Sequence, residues 1–160
     1  MSEHTSALGS IEDRHDHAAR IISSATAWSA ASAAIPVPAL DLVALGAVQA
    51  KMIVDLSRLY GHQASGALAK GLVSVLLGTL LPSGAAGVLL GSGAKLVPGW
   101  GSVVGAATLA ALGAAASYAI GKIFVRHYEA GGTLGSFSVE AVREDLKAEF
   151  AKTQVKPKMA

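Results

Sequence analysis

The chain has 160 residues, 52% of them hydrophobic and 15% charged, with a mean hydropathy of +0.48. So little charge excludes a disordered chain, a coiled coil and a nucleic-acid-binding tail; a net charge of +2 calls for no polyanionic partner. Without cysteine there is no disulfide framework, thiol nucleophile or thiolate metal site, and the length fits one domain.

Ser10, followed by Glu12 and Asp13, predicts a helix start, because a side-chain oxygen caps free amides and acids suit the positive end of the dipole. That helix is expected to stop at Ile35-Pro36-Val37-Pro38, where each proline disfavours helix in the residue before it. A second helix is predicted from Ala39 to Tyr60, ending at Gly61, and a third over Ser65–Leu81. A long helix over Ser102–Tyr128 closes at Gly131-Gly132. From Ser138 onward Val139, Val142, Leu146 and Phe150 share one face, with Arg143, Glu144, Lys147 and Glu149 opposite, as in a soluble amphipathic helix. No strand alternation is present. The two Val-Pro helix starts and their Tyr- and Gly-containing ends form a faint internal repeat.

Charge is segregated: fifteen of the 24 charged residues lie in Met1–Arg20 and Val139–Ala160. Between them Ile21–Leu40, Gly71–Ala94 and Leu96–Gly121 carry none. A bilayer core takes about 20 helical residues to cross, so the last two stretches are long enough to span as a hairpin. Basic residues at the base (Arg58, Lys70, Lys122, Arg126) put that base in the cytoplasm, with Lys95 at the far tip. Lys95, Trp100, Lys122, Arg126 and Tyr128 are expected at the membrane interface. Acidic Glu3, Glu12, Asp13 and Asp16 precede the first apolar run, so insertion is expected to use internal segments rather than a secretory signal.

Gly101, Gly105, Gly113, Ser117 and Gly121 recur on one helix face. Small residues let backbones approach closely in lipid, so this face is expected to pack helices within the chain and to support a homo-oligomer. Asp41 and the Lys51/Asp55/Arg58 flank are candidate functional charges, since an intramembrane charge is costly unless paired; the structural alternatives are a helix cap and i,i+3/i,i+4 pairs. His15 and His17 diverge on a helix, so no metal site is expected. Gly91-Ser92-Gly93-Ala94-Lys95 lacks the ending of a phosphate loop. No cofactor and no enzyme activity are expected.

The motifs Ile35-Pro36-Val37-Pro38-Ala39-Leu40-Asp41 and Leu96-Val97-Pro98-Gly99-Trp100-Gly101 resemble the bacterial YcjF-type family of unknown function. Ser117-Tyr118-Ala119-Ile120-Gly121-Lys122 and Tyr128-Glu129-Ala130-Gly131-Gly132 extend the resemblance over residues 20–150. It implies a membrane-associated helical domain that in relatives accompanies a small GTPase; this chain has no GTPase motif of its own, so a GTPase would be a partner. The expected architecture is all-α, with Gly/Ala-rich membrane-embedded hairpins and a cytoplasmic C-terminal amphipathic helix. Its parts are a polar segment (1–20), a helical membrane domain (21–132) and a cytoplasmic helix and tail (133–160). The expected setting is the bacterial inner membrane with both termini cytoplasmic. The expected role is a self-associating anchor or partner module. Two alternatives are an oligomeric pore, with Asp41 and the Lys51/Asp55/Arg58 flank facing water, and a soluble bundle that inserts into membrane or binds lipid.

Overall fold

Helix α1 runs over Ser2–Ser32, α2 over Pro38–Leu59, α3 over Gly66–Leu80, α4 over Trp100–Glu129 and α5 over Val139–Val155. This computed structural model describes residues 2–32, 38–80 and 100–155, with side chains over 9–32, 43–80 and 110–154. No strand occurs among the described residues. Pro38 opens α2, where its missing N–H is no loss. Both α2 and α4 close on a glycine with left-handed backbone, Gly61 (φ 79°) and Gly131 (φ 84°). The next amide bonds back across the turn in each, His62 N to Ser57 O at 2.8 Å and Gly132 N to His127 O at 2.9 Å, which is the Schellman ending. Ser138 caps α5, its Oγ accepting from Ala141 N at 3.3 Å.

Helix α1 runs antiparallel to α4: His15 meets Glu129, Ile22 meets Gly121 and Ser29 meets Ser117. Helix α2 runs alongside α4 in the same direction, through Gln49–Ser117, Ser57–Tyr128 and Tyr60–Glu129. One end of the bundle, the base, therefore gathers the C-termini of α2 and α4, the N-terminal half of α1 and the start of α3. The opposite end is the tip. The core holds Ile22, Ile53, Leu56, Val73, Leu76, Ile120 and Phe124, and α5 contributes Leu146 to the same cluster.

Three expectations change. Ser10 lies inside α1 and does not cap it, since the helix begins at Ser2. Glu149 is buried at 9% exposure and bonds Arg126 Nη2 at 2.9 Å, so the polar side of α5 is not wholly solvated. Among the described residues no helix is long and apolar enough to cross a membrane, so the spanning hairpin is not found there. The described part of α3 has 15 residues, a rise of about 22 Å. Helix α4 is rich in Ala, Gly and Ser and turns Ala119, Ile120, Ile123 and Phe124 into the bundle. Residues 81–94 of the expected first span lie outside the described residues.

Candidate membrane-contact site

The tip half is almost free of charge. Residues 21–32 of α1, 71–80 of α3 and 100–121 of α4 carry none, and residues 38–50 of α2 carry only Asp41. Its exposed described side chains follow the same rule. Trp28 is 66% exposed, Val43 68% and Val75 53%, with Leu112 and Tyr118 also exposed; the remaining exposed positions there are Ala, Gly and Ser. The hydroxyls of α3 bond to its own backbone, Ser74 Oγ to Lys70 O at 3.0 Å and Thr79 Oγ1 to Leu76 O at 2.7 Å. A hydroxyl satisfied in this way enters an apolar phase without stranding a donor.

Inside the tip half a polar node ties three helices. Ser29 Oγ and Ser117 Oγ share a hydrogen bond of 2.6 Å, and Gln49 Nε2 donates to Ser117 Oγ at 3.1 Å. All three side chains are buried, and Gln49 Oε1 has no partner among the described residues. Polar groups in a low-dielectric core fix relative position strongly when bonded and cost energy when not.

Two glycines of the small-residue face have close neighbours in the chain. A Cβ on Gly113 would lie 3.3 Å from both Leu45 Cδ1 and Ser29 O, and one on Gly121 would lie 2.7 Å from Ile22 Cγ1. Ser117 sits between them in the node. Gly101 and Gly105 belong to the start of α4, where packing lies outside the described residues. Lys51 pairs with Asp55, and Arg58 Nη1 stands 3.8 Å from Asp55 Oδ1, so the three charges meet one another on the exposed side of α2. Asp41 occupies the first turn of α2, at the positive end of its dipole; its side chain, like that of Trp100, lies outside the described residues. Lys95 lies wholly outside them. Lys122 is half-buried and Arg126 is exposed and paired with Glu149. Tyr128 is buried at 4% exposure, so within this chain it packs the core and offers no interfacial surface.

Sequence reasoning missed the cluster at the base. The rings of Tyr60 and Tyr128 stack with centroids 5.6 Å apart, and Phe124 stacks on Phe137 at 4.2 Å. Tyr60 OH donates to Glu129 Oε1 at 3.1 Å, while His15 Nε2 lies 3.0 Å from the same oxygen and the Arg14 guanidinium covers the Tyr60 ring. Burial, then the Glu129 charge, pushes the Tyr60 phenol up to about 12, and burial also raises that of Tyr128. The available signal was a tyrosine within three residues of each helix-closing glycine, Tyr60 before Gly61 and Tyr128 before Gly131. His15 pairs with Glu129, and among the described residues no three His, Cys, Asp or Glu side chains come together as metal ligands.

The geometry defines an all-α bundle polarised along its axis, apolar at one end and charged at the other. The chain belongs to a family described as a domain of unknown function, DUF697, whose model matches residues 6–153. It is similar to magnetosome membrane protein 22 of Magnetospirillum gryphiswaldense, with 38% identity over 122 residues covering 76% of this chain. The chain spans 63% of the length of that relative. No solved structure matches it.

Proposed function

We propose that the chain is a non-enzymatic, membrane-associated helical module that sinks its tip half into one leaflet and keeps its charged base in water. The observation that carries this reading is the exposed surface of the tip half, where every described exposed side chain is uncharged. Moving a half-exposed Val or Leu from water into lipid gains about 1 kcal/mol. Several such residues on four helices hold a bundle at a surface without any of the described helices crossing it. The name of the magnetosome relative, a membrane protein, supports the same reading. The N-terminal half of α1 lies toward the charged end and α5 meets α4 there through Glu149 and Arg126; both termini are proposed to lie on one side, the cytoplasmic side of a bacterial inner membrane. Self-association and an anchoring role for a GTPase complete the proposal, the GTPase on the YcjF-type resemblance alone. The pairing of Lys51 and Arg58 with Asp55 gives no support to a pore.

The test is flotation of the full chain with lipid vesicles. An aspartate placed in lipid costs about 2 to 3 kcal/mol, so Trp28→Asp and Val43→Asp are each expected to weaken flotation at least tenfold with helix content unchanged. Leu68→Asp, at an apolar position near the base that is 45% exposed, is expected to leave flotation as it was. Equal loss from all three variants, or from none, overturns the reading.

A further inference from the structure

From the tip toward the base, the first charge on α1 is Arg20, on α3 Lys70 and on α4 Lys122; on α2, past Asp41, it is Lys51. All four are basic, one to a helix. Three of them stand at nearly one level. Ile22 abuts Gly121, so Arg20 and Lys122, adjacent to that contact on the base side, lie within about 3 Å of it along the axis. Lys51 follows Gln49, which bonds Ser117 one turn above Gly121, and so stands about 3 Å to the tip side. Lys70, one turn into α3, sits nearer the base.

Arg20, Lys51 and Lys70 are exposed and Lys122 is half-buried. Arg20, Lys70 and Lys122 make no ion pair among the described residues; Lys51 is held by Asp55. The acids closest along the same helices, Asp16 and Asp55, each lie one turn further toward the base. Apart from Asp41 in the first turn of α2, cations therefore border the apolar surface and acids stand behind them.

We propose that Arg20, Lys70 and Lys122, with Lys51, form a basic belt that docks the phosphate groups of anionic lipids and sets how deep the tip half sinks. This rests on the insertion reading above. A guanidinium grips a phosphate with two parallel hydrogen bonds, and a lysine stem lies along apolar surface with its ammonium among headgroups. Among the described residues no acid is ion-paired with these three cations. An anionic leaflet strengthens partitioning roughly fivefold for each such cation.

The experiment measures binding of the full chain to vesicles of phosphatidylcholine alone and to vesicles with phosphatidylglycerol added. The proteins compared are the parent, the triple variant Arg20→Gln/Lys70→Gln/Lys122→Gln, and Lys147→Gln as a base-end control. The parent is expected to prefer the anionic vesicles, with the preference falling as salt rises. The triple variant is expected to bind them roughly a hundredfold less tightly, with helix content and phosphatidylcholine binding unchanged, and Lys147→Gln is expected to match the parent. A triple variant that keeps the preference overturns the belt. A parent that binds both vesicles equally overturns anionic selection while leaving insertion standing. A parent that binds neither overturns the insertion reading and the belt with it.

Discussion

Gly121 of α4 is seated against Ile22 of α1 so closely that a Cβ built on the glycine would stand 2.7 Å from Ile22 Cγ1 and 3.0 Å from Cδ1. Ile22 is buried and β-branched, so its χ1 has little freedom to yield. Alanine gains about 1 kcal/mol of helix propensity over glycine, but overpacking costs typically 1 to 3 kcal/mol. Gly121→Ala is therefore expected to lower the denaturant midpoint. In an Ile22→Ala background the same change is expected to raise it, because the opposing atoms are gone. A double-mutant cycle without that change of sign would remove the contact from the account.

The node one turn from it toward the tip makes a second prediction. Ser117→Ala leaves the Gln49 amide and the Ser29 hydroxyl without their shared partner in a buried site, and is expected to cost about 1 to 3 kcal/mol. Gln49→Leu removes one hydrogen bond together with a carbonyl that has no partner among the described residues, and is expected to cost less. Equilibrium unfolding of the two variants checks the order, and a larger loss from Gln49→Leu contradicts it.

At the base, the Tyr60 phenol is held protonated up to about 12 against an ordinary 10.0 by burial and by Glu129, and burial shifts Tyr128 in the same direction. The folded state thus keeps protons that the unfolded state releases. This contribution is fully present below about pH 10 and is lost as pH rises toward about 12. Tyr60→Phe is expected to flatten the alkaline fall in melting temperature, and an unchanged slope would show that Tyr60 does not carry it.

How much of this was legible beforehand follows from which forces are local. Helix ends were readable because Pro38, Gly61, Ser138 and Gly131 act on their own backbone, and each stands at a helix boundary. Gly113 and Gly121 are close to Leu45, Ser29 and Ile22, and what a small residue lies against is not written in its own spacing. What the apolar stretches touch was not readable, since hydropathy is alike for a helix facing lipid and one facing Ile53 and Leu56. The node of Ser29, Gln49 and Ser117 was hidden for a related reason: three uncharged side chains on three helices carry no joint signal until the helices are packed. Tyr128 was misplaced because an aromatic beside Arg126 reads equally well as interface or core.

The central claim is that the tip half enters lipid, and Trp28 reports on it directly. The chain has two tryptophans, so Trp100→Phe leaves Trp28 as the sole indole, 66% exposed on α1. With vesicles carrying brominated acyl chains, Trp28 fluorescence is expected to shift to the blue and to be quenched most by bromines just below the headgroups. Emission that keeps its aqueous maximum, with no quenching at any bromine depth while the protein is bound to the vesicles, would contradict insertion of this end.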